Sequence, residues 1–209
     1  MTANSKIRIL TVDDHPVLRE GIAAVLAGET DMLVVAEASN GREGIEQFRA
    51  HRPDITLMDL QMPVMNGSDA ILAIRSEFPA ARIIVLTTYS GDVQADRAFK
   101  AGAYGYLLKN MLRKELVDTI RTVHSGRKRI PPEIAVEMAE HHADDALTER
   151  EIEVLQQVAT GNANKIIADN LDISEETVKA HMRKILSKLA ANDRTHAVAI
   201  ALKRGIIEI

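Results

Sequence analysis

Four short apolar runs in the first half of this sequence each end on a side chain suited to cation or phosphoryl chemistry. Asp13 and Asp14 follow Ile7 to Val12, Asp59 follows Ile55 to Met58, Thr87 follows Arg82 to Leu86, and Lys109 follows Tyr104 to Leu108. In an open parallel α/β sheet the ligand crevice lies outside the carboxyl ends of the strands, so this placement predicts that the five side chains converge. Carboxylates held close repel one another and stay ionised at low cost only beside cations. The ammonium of Lys109 and a hard divalent ion would supply them. Mg²⁺ suits such a site, because it keeps octahedral oxygen ligation from a few carboxylates, waters and a phosphate. With that charge balanced, Asp59 could attack a phosphorus centre in line, and Thr87 could hydrogen-bond the group transferred. Singly, Asp13 and Asp14 read as caps of a following helix and Asp59 as a loop carboxylate. Their joint placement at successive strand ends favours the site. His15 reads as a surface histidine beside it, because a hard cation prefers oxygen.

The elements that must hold these residues alternate in period. Apolar runs at Ile7 to Val12, Leu33 to Ala38, Ile55 to Met58, Ile83 to Leu86 and Tyr104 to Leu108 are separated by helical patterns. Those helices are placed near Val17 to Ala27, Arg42 to His51, Asp69 to Glu77, Val93 to Ala101 and Arg113 to His124. Five βα units predict a five-stranded parallel sheet covered on both faces. Pro16 at a helix start and Gly102 after a helix end are the expected punctuation.

Arg127 to Asp145 breaks this rhythm with a basic triplet, Pro131-Pro132, one helical stretch and an acidic end at Asp144-Asp145, and it reads as a linker. From Thr148 onward the period is helical throughout. Thr148 with Glu151 forms a capping box, Gly161 closes the helix they open, and Ser174 and Asn192 are placed to cap later ones. Helices near Glu149 to Thr160, Lys165 to Leu171, Glu175 to Ala190 and Asp193 to Arg204 make an all-α, four-helix second domain. Lys165 to Leu171, the turn Asp172 to Ser174 and the helix from Glu175 form a helix-turn-helix pattern. On its second helix Val178, Ile185 and Leu189 share an apolar stripe, and Lys179, Arg183 and Lys184 lie largely away from it.

Composition sets the outer bounds. At 209 residues two folding units are expected, and 46% hydrophobic with 27% charged residues is ordinary globular usage. No Cys is present, which removes disulfides, thiolate metal sites and a Cys nucleophile. No signal-like or membrane-spanning apolar run is visible, so a soluble, cytoplasmic protein is expected. Residues 1–145 carry 17 Lys and Arg against 21 Asp and Glu, whereas the remainder carries nine of each. The acidic excess therefore belongs to the first part, and the cations of the second concentrate around Lys179 to Lys188.

Val12-Asp13-Asp14-His15, the stretch Met58-Asp59-Leu60-Gln61-Met62-Pro63-Val64-Met65-Asn66-Gly67, Thr87-Thr88 and Gly105-Tyr106-Leu107-Leu108-Lys109 together resemble the receiver domain of two-component response regulators. The resemblance spans about residues 6–126. It implies a flavodoxin-like fold with strand order 2-1-3-4-5. It further implies Asp59 as phosphoacceptor, with Mg²⁺ held by Asp14, Asp59 and the main-chain carbonyl of Gln61 and assisted through water by Asp13. Thr87 and Tyr106 would be the switch pair and Lys109 the phosphoryl contact. Asn110 stands where receivers often carry a proline after a cis peptide. A cis bond before a non-proline residue costs roughly 2.5 to 4 kcal/mol, so the geometry of Lys109-Asn110 is left open.

Leu147 to Leu155, Asn164-Lys165, Ile173 to His181 and Lys188-Leu189 are similar to the LuxR-type helix-turn-helix of the NarL/FixJ subfamily, over about residues 146–209. Ile166 sits where that family usually has Glu, and Ala191 where Val is common. The resemblance implies that Lys179, Ala180 and Arg183 face base edges, that Lys165, Thr177 and His181 contact phosphates, and that the helix from Asp193 to Arg204 mediates dimerisation. Together the two resemblances predict a receiver domain over residues 1–126, a linker over 127–145 and a DNA-binding domain over 146–209. The expected partners are a sensor histidine kinase, double-stranded DNA and, once phosphorylated, a second copy of the chain; RNA polymerase is a further one that the reading allows. No membrane partner is expected. An aspartate-nucleophile phosphatase would need a second acid two residues after the nucleophile, and Gln61 occupies that place, so the chain is expected not to be an enzyme beyond self-phosphotransfer and autodephosphorylation. A phosphorylation-independent DNA binder is the nearer alternative.

Overall fold

The computed structural model describes residues 6–88, 91–140 and 146–207, without the side chains of 137–140. The chain divides into two compact units, one of residues up to Pro132 apart from 89–94, the other including residues from Glu133 onward.

In the first unit five strands, β1 (Ile7–Val12), β2 (Met32–Ala38), β3 (Ile55–Asp59), β4 (Ile83–Thr87) and β5 (Gly105–Leu108), alternate with helices α1 (Pro16–Ala27), α2 (Gly41–His51), α3 (Gly67–Glu77), α4 (Asp92–Ala101, in this unit from residue 95) and α5 (Leu112–His124). The sheet is parallel throughout, in the order β2-β1-β3-β4-β5. Every residue of β3 and β4 is buried, as expected of central strands covered by helices on both faces. Ile9, Leu57, Ile84, Leu86 and Leu107 of the strands meet Ile22, Leu116 and Ile120 of the helices in one aliphatic core.

Helix starts follow local chemistry. Pro16 opens α1, where its missing N–H costs nothing. The side chains of Asn40 and Asn66 accept from the N–H groups of Glu43 and Asp69 and cap α2 and α3. Gly102, at φ +109°, ends α4. At Gly67 a Cβ would lie 1.9 Å from the carbonyl oxygen of Asp59, so the loop between β3 and α3 closes only over glycine. Among the described residues no peptide bond is cis; Lys109–Met111 form a short 3-10 turn that leads into α5.

Helix α6 (Pro132–Glu140) is the helical stretch expected in the linker, while Asp144-Asp145 lies outside the described residues. Upstream of it Arg129 pairs in parallel fashion with Gly105 on the outer edge of β5, a contact that the sequence did not suggest.

The second unit is built on α7 (Glu149–Ala159), α8 (Asn164–Leu171), α9 (Glu175–Lys188) and α10 (Arg194–Arg204). Thr148 and Glu151 form the expected capping box, Ser174 caps α9, and Gly161 follows α7 at φ +85°. Asn192 does not cap α10. Asp193 does, because its carboxylate accepts from the N–H of His196 three residues on, whereas Asn192 lies one residue too early and its own N–H donates to His196 Nδ1. The core joins Val154, Leu155, Ile167, Val178, Ile185 and Ala201. Met182 is buried alongside the expected stripe of Val178, Ile185 and Leu189.

Candidate functional site

The order β2-β1-β3 reverses direction beside β1 and β3, so the topological switch point falls where those strands end. Register does the rest. Val12 is level with Met58, Asp59 with Leu86 and Thr87 with Leu108, which brings Asp13, Asp59, Thr87 and Lys109 to one rim of the sheet.

Lys109 Nζ lies 2.8 Å from Asp13 Oδ2 and 2.8 Å from Asp59 Oδ2, with both carboxylates buried. Burial pushes the Asp59 carboxyl above the usual range; Lys109 opposes that rise and the charge of Asp13 adds to it. Burial alone would lower the pKa of Lys109, but the close Asp13 carboxylate and the hydrogen bond to Asp59 hold it above its ordinary value. The N–H of Gln61 donates to Asp59 Oδ1 at 3.3 Å. His15 donates its main-chain N–H to Asp13 Oδ1 at 2.9 Å, and its Nδ1 lies 2.7 Å from Asp14 Oδ1.

The residues fit a divalent cation. Asp13, Asp14, His15 and Asp59 each present an atom within 4.8 Å of the others. Asp13 Oδ2 and Asp14 Oδ1 are buried and accept no well-directed hydrogen bond, although Lys109 and His15 stand within ion-pair distance. Buried oxygens with spare lone pairs are the donors that a hard ion takes.

Thr87 ends β4 on the same rim. Tyr106 of β5 is fully buried; burial raises its pKa, which the hydrogen bond with Thr87 partly offsets. Its ring packs on Phe99 of α4 at 6.4 Å between centroids. One contributor escaped the sequence reading. Arg19 of α1 donates to the main-chain oxygen of Asp13 at 2.6 Å and pairs with Glu37 at 3.2 Å, which fixes the chain at the end of β1. Nothing in the spacing of Asp13, Arg19 and Glu37 announces that triangle.

In the second unit Asp172, at φ +52°, makes the turn between α8 and α9. Lys165, Lys179, Ala180, Arg183 and Lys184 are exposed, while Thr177 and His181 are half-buried. The hydroxyl of Thr177 lies 2.8 Å from Ser174 Oγ in the helix cap. Glu176, unremarked in the sequence, pairs with Lys179 at 3.5 Å and with Arg183 at 3.3 Å. Its offsets of three and seven residues are the helical signal that could have revealed it.

Comparison with known proteins agrees with both halves. Residues 9–121 match the family model of the response regulator receiver domain, and residues 145–201 match that of the bacterial regulatory proteins of the luxR family. The chain is 40% identical over 214 residues to the uncharacterized transcriptional regulatory protein YxjL of Bacillus subtilis, covering 97% of this chain and 98% of that protein. It is 37% identical to the response regulator protein VraR of Staphylococcus aureus, covering 97% and 99%. The crystal structure of ChrA, a response regulator in a heme-sensing two-component system, superposes with a TM-score of 0.57 at 36% identity, covering 97% of this chain and all of that one. The chain therefore belongs to the two-component response regulators that join a receiver domain to a LuxR-type DNA-binding domain.

Proposed function

We propose that Asp59 accepts a phosphoryl group from a sensor histidine kinase and that this modification controls DNA binding. The observation that carries the reading is the buried Asp59 carboxylate at the end of the middle strand, 2.8 Å from Lys109 and beside the Asp13-Asp14 pair. An Asp59 oxygen attacks phosphorus as the bond to the donor's imidazole nitrogen breaks, and the leaving nitrogen departs with the electron pair. Lys109 transfers its ammonium from the carboxylates to the new phosphoryl oxygens. Asp14, Asp59 and the main-chain carbonyl of Gln61 would hold Mg²⁺, with Asp13 acting through water. That ion supplies neutralising charge where the three phosphoryl oxygens converge.

Thr87 then donates to the phosphoryl group, and Tyr106, its partner, follows. Phosphorylated chains pair through α10 and place two α9 helices on double-stranded DNA. Lys179, Ala180 and Arg183 face base edges, while Lys165, Thr177 and His181 meet phosphates. RNA polymerase is the further partner at a promoter. Acting on DNA, the protein works in the cytoplasm. Its own phosphotransfer and the loss of that phosphoryl group are its only chemistry.

Treatment with acetyl phosphate and Mg²⁺ should add one phosphoryl mass to the wild type and none to Asp59→Asn, and excess chelator should stop the labelling. Labelling of Asp59→Asn would contradict the assignment.

A further inference from the structure

The outer edge of β5 is where a sheet of this order leaves main-chain groups unpaired. Here the linker closes it. Arg129 donates its N–H to the carbonyl of Tyr104 at 2.9 Å, and its own carbonyl accepts from the N–H of Tyr106 at 3.0 Å. Side chains of the same segment reach both neighbouring helices. Lys128 Nζ lies 5.9 Å from the centroid of the Phe99 ring on α4, and Arg129 pairs with Glu115 of α5 at 3.4 Å. Gly126, at φ +88°, turns the chain out of α5 toward this edge, and Pro131 is buried beyond it.

Tyr106 is thus engaged at two ends. Its side chain lies inside, hydrogen-bonded to Thr87 and packed on Phe99, while its amide holds the linker. Phe99 is in contact with both the tyrosine ring and Lys128, so a shift of that ring is felt at the side chain of the linker.

We propose that residues 127–131 form a strap on the β5 edge whose docking depends on the inward position of Tyr106, so that the switch residue passes its state to the linker through its own main chain. The proposal rests on the switch reading given above. Two main-chain hydrogen bonds at the β5 edge, one half-buried ion pair and one cation–ring contact suit a segment that releases without unfolding the sheet. The edge it occupies is also denied to a strand of a second chain.

Amide exchange in the full chain, read residue by residue, tests the strap. With Asp59 phosphorylated to completion by mass, the Arg129 and Tyr106 amides should exchange about tenfold more slowly than in the unmodified protein. Equal exchange in the two states overturns the coupling, and protection that rises with protein concentration overturns it in favour of a second copy on the edge. Arg129→Pro removes the N–H that donates to the carbonyl of Tyr104. It should take up phosphoryl normally yet lose the gain in DNA affinity that phosphorylation gives the wild type, and full retention of that gain overturns the strap. If the wild type takes no phosphoryl group, the proposed function fails by itself and Thr87→Ala decides the strap. Faster Arg129 exchange in that variant, where the tyrosine hydroxyl loses its partner, supports it, and unchanged exchange overturns it.

Discussion

Asp59 and Lys109 both stand above their ordinary pKa values, Asp59 because of burial and Lys109 in spite of it, and the effect at Asp59 is measurable. Because the folded pKa of Asp59 is raised, its ionised form weakens the fold above its unfolded pKa, and that loss is recovered as pH falls through the folded value. Asp59→Asn should therefore be more stable than the wild type near neutral pH by about 1 kcal/mol without divalent ions, and should lose the wild type's gain on adding Mg²⁺. Denaturant titrations with chelator and with Mg²⁺ check both. Val64 offers a second case. It is a β-branched residue at φ +69° in the loop after β3, and it is 77% exposed, so it bears backbone strain without compensating burial. Val64→Gly is expected to stabilise the receiver by about 1 kcal/mol, read as a rise in denaturation midpoint; a fall would show that the side chain contributes more than the strain costs. Asp13, Asp14, Asp59, Thr87 and Lys109 were legible because strand ends of a parallel sheet share one rim. Arg19 was not, since its partners are the main chain of Asp13 and a glutamate on another strand, and only the folded chain brings these together.

Among the elements, α7 and α9 are tied by Lys188, which lies 2.8 Å from the buried carboxylate of Glu151. Burial would raise the pKa of Glu151, but Lys188 and the Thr148 N–H prevail and hold it below the ordinary range. The sign is opposite to that of Asp59: this stability is present above the unfolded pKa of a glutamate and lost as pH falls through the lowered folded one. Glu151→Gln keeps most of the cap but not the pair, and it should cost about 1 to 2 kcal/mol at neutral pH and make the helical unit less sensitive to acid, as followed by circular dichroism. The exposed cations of α8 and α9 are expected to have separable roles. Arg183→Ala should narrow the difference between operator and scrambled DNA by about 1 to 3 kcal/mol, whereas Lys165→Ala should weaken both alike and shallow the salt dependence. Binding titrations at several salt concentrations distinguish these outcomes, and equal loss on both DNAs would remove Arg183 as a base reader. Glu176 modifies the expectation, because Arg183 must leave it to reach a base. The helices were legible from their period and caps. The cap of α10 was misplaced by one residue, since Asn192 and Asp193 are both good caps by type and only the register of the first turn decides between them.

At the scale of the whole molecule, the change of period near residue 126 and the shift in charge made a two-part protein legible, and alternating elements made the parallel sheet legible. Strand order rested on resemblance, because periodicity says nothing of which strands are neighbours. The pairing of Arg129 on β5 was hidden for a different reason: one bridging residue leaves no alternating pattern. In the function proposed here, the two parts are joined by a dependence of DNA binding on Asp59. The most direct measurement is the operator affinity of the full chain before and after phosphorylation, with Asp59→Asn taken through the same treatment. The wild type should tighten about tenfold or more, a coupling of about 1.4 kcal/mol, and Asp59→Asn should stay at the unmodified affinity. Equal affinity of the modified and unmodified wild type, with the phosphoryl group verified by mass, would contradict it.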